Sequence, residues 1–183
     1  RRLQSVCVSF AEIAMSDNNE LLRAMLAYDR GDPKRIHHFL KVYEFAKLIC
    51  EGEKVGDELR HITETAAIVH DIGIHLAEQK YGNGHGHYQE IEGPPEAKKM
   101  LEALGYDTAV TERVCRLVSL HHMYTHIDGI DYQILVEADF LVNIYEHHEN
   151  DSDDETMRAE ARSVRKTIFR TETGKALLDE LYG

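Results

Sequence analysis

The chain has 183 residues, of which 43% are hydrophobic and 30% charged, with a formal net charge of −12. That length suits one domain with a substantial core, and the balance is that of a folded chain rather than a disordered one. The acidic surplus excludes a nucleic-acid polymer as the main partner, because phosphate backbones are bound by clustered Lys and Arg; a small phosphorylated ligand stays compatible, since a bound cation reverses the local field.

Residues 1–14 are mildly apolar after Arg1-Arg2, but Glu12 interrupts the run and no small-residue cleavage site follows. They read as an N-terminal extension rather than a signal peptide, with the domain expected over residues 15–183 from Met15-Ser16-Asp17. A first helix is expected from about Asn18 to Asp29, broken by Gly31-Asp32-Pro33. Asp32 then caps a second helix with Pro33 at its first position, ending near Gly52. A third is expected from about Asp57 to Leu76. Tyr81–Pro95, with Gly82, Gly84, Gly86, Gly93 and two prolines, reads as a long loop with a functional role, a mobile lid being the natural use. Helical spacing resumes over Pro95–Leu104, Thr108–His122, Tyr132–His147 and Asp153–Arg170, with a short helix at the end. The expectation is an all-α, single-domain helical bundle. No apolar run approaches the roughly 20 residues that a membrane span requires. Cys7, Cys50 and Cys115 are isolated and odd in number, which suits incidental thiols in a reducing cytoplasm. Exposed apolar faces on the first or last helix leave a homodimer open.

The unusual feature is histidine, with 12 residues. His38, Val42, Phe45 and Ile49 fall at i, i+4, i+7 and i+11, so His38 shares an inward stripe, while His37 lies about 100° around the helix. His121 continues the stripe Val110, Val114, Leu117, Val118. Asp139 sits among Leu135, Val136 and Val142, where a carboxylate needs a cation, a hydrogen-bond donor or a proton. His70-Asp71 closes the run Ala66-Ala67-Ile68-Val69; two adjacent residues serve one ion only near a helix end or between helices. Mixed imidazole and carboxylate suit Mn, Fe, Co, Ni or Zn better than calcium. The run Glu146–Glu155 reads as a solvated helix boundary, and Asp128 and Asp131 as turn and cap residues.

Taken together, Arg35-x-x-His38-x-x-x-Val42, His70-Asp71-Ile72-Gly73, Leu117-x-x-x-His121-His122 and Glu137-Ala138-Asp139-Phe140-Leu141 resemble the HD superfamily of metal-dependent phosphohydrolases over residues 33–145. The resemblance implies a helical bundle in which His38, His70, Asp71 and Asp139 bind one divalent transition metal. It further implies hydrolysis of a small phosphate ester, nucleotides foremost, with Asp71 as ligand and proton acceptor. His121 is then available to stabilise developing charge or protonate the leaving oxygen, and Arg35 to contact phosphate. Two departures stand out. Gln89 occupies the place, four residues before Gly93, where multi-metal members carry a histidine, so a complete second metal site is not expected; His87 and His122 are the additional candidates nearby. Ile74 occupies the place of a lysine common in the family, leaving Arg35, Lys41, Lys80 or His75 to meet phosphate, and Tyr81 or Tyr88 to stack on a base. Both departures also suit a non-catalytic metal- or nucleotide-binding sensor domain.

Overall fold

The computed structural model of the protein describes residues 18–149 and 154–183, and the extension assigned to residues 1–14 lies outside them. Among the described residues there are nine helices and no strand: α1 (Asn18–Tyr28), α2 (Pro33–Gly52), α3 (Asp57–Val69), α4 (Ile74–Tyr81), α5 (Gly86–Ala103), α6 (Thr108–Leu120), α7 (Ile130–His148), α8 (Asp154–Thr167) and α9 (Glu172–Tyr182). The protein is an all-α single domain, as the periodicity predicts.

Local chemistry sets most boundaries. The Asp32 carboxylate accepts from Arg35 N, with Pro33 opening α2, and Asp107 and Thr171 cap α6 and α9 through Ala109 N and Gly174 N. Each such cap satisfies one of the amides that a helix start leaves unpaired, worth about 1 kcal/mol. Gly82, with φ of 75°, ends α4 in the left-handed conformation that glycine adopts without steric cost.

The core forms around α7, which packs on α2, α3, α8 and α9. Tyr132, Ile134, Leu135, Ala138 and Ile144 of α7 are fully buried, facing Val42, Ala46 and Ile49 of α2 and Ala66 to Val69 of α3 within one hydrophobic cluster. Each large apolar side chain removed from water contributes roughly 1.5–3 kcal/mol. The alanines of α3 have no exposed surface, so backbone comes close to backbone where the polar residues of α2, α3 and α7 meet.

Two expectations are corrected. The helix expected through Leu76 breaks at residues 70–73, a turn between α3 and α4. The long loop expected over Tyr81–Pro95 is a connection of four residues, 82–85, followed by α5, which runs through Pro94 and Pro95. Each proline removes one bond from the helix ladder, and tertiary contact holds α5 in place. A Cβ on Gly93 would lie 2.7 Å from Val118 Cγ1, and one on Gly73 2.7 Å from Gly93 N. The glycines that suggested a lid serve instead as points of close contact between the 70–73 turn, α5 and α6. Among the described residues, no helix is long and apolar enough to cross a membrane.

Candidate metal centre

Four histidines and two aspartates converge where α2, α7 and the ends of α3 and α6 meet. His38 comes from α2 and Asp139 from α7; His70 and Asp71 occupy the turn after α3, and His121 and His122 follow α6 directly. The break at residue 70 lets two consecutive side chains approach one point, which a continuous helix would not allow. His70, His121, Asp139 and His38 are at most 7% exposed, whereas the Asp71 side chain keeps a quarter of its surface.

The Nε2 atoms of His38 and His70 stand 3.1 Å apart. Asp71 Oδ2 lies 3.4 Å from the first and 3.5 Å from the second, and Asp139 Oδ1 lies 3.2 Å and 3.5 Å from the same two atoms. His121 Nε2 is 3.4 Å from the other Asp71 oxygen. His38, His70 and Asp71 form one group able to hold an ion, and Asp71, His121 and His122 a second.

The proton inventory decides what this centre accepts. His70 Nδ1 donates to Ala67 O at 2.9 Å and His121 Nδ1 to Val118 O at 2.8 Å; a carbonyl accepts only, so both protons lie on Nδ1. His38 Nδ1 faces Glu146 Oε2 at 3.0 Å, which likewise places its proton there. Any proton on an Nε2 atom is therefore additional to one already on Nδ1, and without it three Nε2 lone pairs face two carboxylates. His121 Nε2, His122 Nδ1 and Asp139 Oδ1 are buried with no hydrogen-bond partner. A buried set made only of acceptors requires a cation or added protons. Nitrogen and carboxylate donors of this kind fit a divalent first-row metal.

Electrostatics agree. Burial lowers the affinity of His38 for protons, but the neighbouring carboxylates of Asp139, Glu146 and Asp71 outweigh it and raise its pKa to about 10. Burial likewise works against charge on Asp71 and Asp139, yet the surrounding histidines hold both well below the usual carboxylate range. His122 goes the other way: burial and the nearby His121 push it down to about 4. Gly86 makes room for it, since a Cβ there would meet His122 Nδ1 at 2.8 Å.

The other residues singled out in the sequence divide. A cleft of about 460 Å³ opens beside His38 and Asp71, lined also by Lys34, Arg35, Asn143 and Glu146. Arg35 faces it with both terminal nitrogens engaged, by Asp32 at 3.0 Å, His75 at 2.7 Å and Glu78 at 2.6 Å. Lys80 pairs with Glu92 at 2.5 Å, and His75 binds Asp29 at 3.0 Å. His87 does not reach inward; it is exposed beside Tyr88. The Gln89 carboxamide donates to Gly84 O at 2.7 Å. Tyr81 and Tyr88 stack on each other, with ring centroids 4.1 Å apart, and neither lines the cleft; the expected base platform is replaced by this pair. Asp128 and Asp131 are structural, clamped by Arg113 at 2.8 and 2.7 Å.

A family profile for the HD domain matches residues 35–169. The chain belongs to the HD-domain family. That family consists largely of metal-dependent hydrolases, and the residues of this HD domain that converge are those whose types and spacing first suggested the resemblance. No curated protein matches the chain closely enough to add a substrate.

One residue of this HD domain was missed. The sequence places Glu146 in a solvated helix boundary, yet its side chain is 11% exposed and reaches His38 and Lys41. The signal was present: Glu146 follows Asp139 by seven residues, two helical turns on the same face.

Proposed function

We propose that this HD domain is a metal-dependent phosphohydrolase acting on a small phosphate ester, nucleotides among the candidates, at the cleft beside Asp71. The observation that carries the reading is the buried convergence of acceptors, His38, His70, Asp71, Asp139 and His121, on one centre that opens to a cleft. His38, His70, Asp71 and Asp139 would hold one divalent transition metal. When bound, that metal supplies Lewis-acid polarisation and a hydrolytic nucleophile at neutral pH.

The protein's own groups supply the rest. Asp71, the most exposed of the four, has an edge on the cleft and accepts the proton of the attacking water. His121, 3.4 Å from Asp71, orients that carboxylate and, when protonated, stabilises charge developing on phosphate. Arg35 acts as a fixed positive charge on the cleft wall rather than as a free fork, because Asp32, His75 and Glu78 already hold its nitrogens. It stands in for the lysine that Ile74 displaces, with Lys34 on the same wall.

The test is a phosphate-release assay on protein loaded in turn with Mn, Fe, Co, Ni and Zn, offered nucleotides and sugar phosphates. Metal-dependent release, abolished in Asp71→Asn, is expected. Stoichiometric metal without turnover of any phosphoester would overturn the enzyme reading and leave a sensor domain.

A further inference from the structure

Of the three imidazoles that present Nε2 to the centre, two are held by their own helices. His70 and His121 each donate Nδ1–H to the carbonyl three residues earlier, an arrangement that no side-chain substitution elsewhere can remove. His38 lies within α2, away from the helix end, and has no such carbonyl. Its Nδ1 meets Glu146 Oε2 of α7 at 3.0 Å, and the other oxygen, Oε1, accepts from Lys41 Nζ at 2.6 Å. Lys41 is on α2, three residues after His38, so the carboxylate is gripped by the helix whose histidine it orients. Both oxygens are thereby committed to protein donors. Although Glu146 lines the cleft, each oxygen already accepts from a donor on α2.

We propose that Glu146 is a positioning residue for the metal centre, fixing the tautomer and rotation of His38 so that Nε2 faces His70, Asp71 and Asp139, with Lys41 holding the carboxylate in place. The inference rests on the proposed metal site and assigns to it a partner beyond its ligands. A carboxylate behind a ligating imidazole fixes ring orientation and raises ligand basicity, and loss of such a partner typically weakens metal binding about 10–100-fold. Because Asp139 and Glu146 share one face of α7, the α2–α7 packing that buries Val42 and Ala46 also sets the His38 rotamer. Ligand geometry and helix packing are one arrangement here.

The experiment uses the whole 183-residue chain, stripped with chelator and titrated with zinc. Glu146→Ala is expected to weaken zinc binding by about 10–100-fold. Glu146→Gln, which keeps an acceptor for Nδ1–H, is expected to recover most of that loss. A second readout separates positioning from general destabilisation. Long-range proton–nitrogen spectra of the zinc-loaded protein should show protected Nδ1 protons for His38, His70 and His121, and Glu146→Ala should lose that of His38 alone. Unchanged zinc affinity in Glu146→Ala, with the His38 proton still protected, would overturn the role of Glu146 while leaving the metal site standing. Wild-type protein that binds no zinc or other first-row divalent ion would overturn the metal site and this role with it.

Discussion

Helix α7 buries two carboxylates two residues apart, and their surroundings differ completely. Glu137 has no exposed surface and is saturated with donors: Gln133 Nε2 at 2.7 Å, Arg170 N at 2.6 Å, Thr171 N at 3.0 Å and the Thr171 hydroxyl. It ties α7 to the turn between α8 and α9, and a Cβ on Gly174 would collide with it. Asp139 is 5% exposed and faces the Nε2 atoms of His38 and His70, with Oδ1 lacking a hydrogen bond. Burial alone does not distinguish a structural carboxylate from a functional one; the supply of protein donors does. Glu137 is complete within the protein, and Asp139 is complete only with a cation or with protons added to the histidines it faces.

The contrast can be broken most forcibly at Glu137. Glu137→Ala strands buried donors on Gln133, Arg170 and Thr171, at about 3 kcal/mol or more, roughly 6–12 °C in a domain of this size. Thermal unfolding should show that loss, with metal stoichiometry unchanged in the folded protein. Asp139→Asn should behave in the opposite sense. The melting temperature of the stripped protein falls by less than in Glu137→Ala, because the amide keeps an acceptor and strands no backbone donor, while metal affinity falls by more than about 100-fold, or roughly 2.7 kcal/mol. Isothermal titration against the wild type measures it, and a large loss of stability in the stripped protein would contradict the contrast.

Gly73→Ala probes the turn that places His70 and Asp71. The added Cβ would lie 2.7 Å from Gly93 N and 2.8 Å from Gln89 O, backbone atoms that cannot rotate away. A cost of about 1–3 kcal/mol is expected, and metal affinity should weaken along with melting temperature.

The smallest effect is at Asp128, a carboxylate satisfied by guanidinium groups near the surface. Hydrogen bonds from Arg113 and then Arg116 hold its pKa down at about 2. A pKa below the ordinary value of about 3.9 means stabilisation present above about pH 4 and lost as the pH falls through 2. Melting curves of wild type and Asp128→Asn should therefore differ slightly at pH 5 and coincide near pH 2. The side chain is 35% exposed, so solvent screening keeps the difference to about a degree or two.

Much of the site was legible because inward-facing polar residues on apolar helices break a strong pattern. His38 stands out against Val42 and Ile49, and Asp139 against Leu135 and Val142, so the stripes alone point both side chains into the core. The break at residue 70 was not legible, since Ile68 to Leu76 keeps helical spacing across it. The α5 start at Gly86 was hidden for the opposite reason. Glycine and proline chemistry signals a loop locally, and only the approach of Gly73 and Val118 to Gly93 overrides it. Glu146 escaped notice because an acidic run looks solvated until its partner on another helix is known. Glu137 and Asp139 lie in one short motif, and no local pattern says which of them finds its donors at residues 170 and 171.

The central claim is that the acceptor-only centre is built for a divalent cation. Its most direct test is a thermal melt of chelator-stripped protein with and without added manganese, iron, cobalt, nickel or zinc, with bound metal quantified after desalting. A first-row ion present at about 1,000 times its dissociation constant stabilises the folded state by about 4 kcal/mol, so the melting temperature should rise by roughly 8 °C or more, with retained metal and with no such rise in Asp139→Asn. No retained metal and no shift with any of these ions would contradict the account.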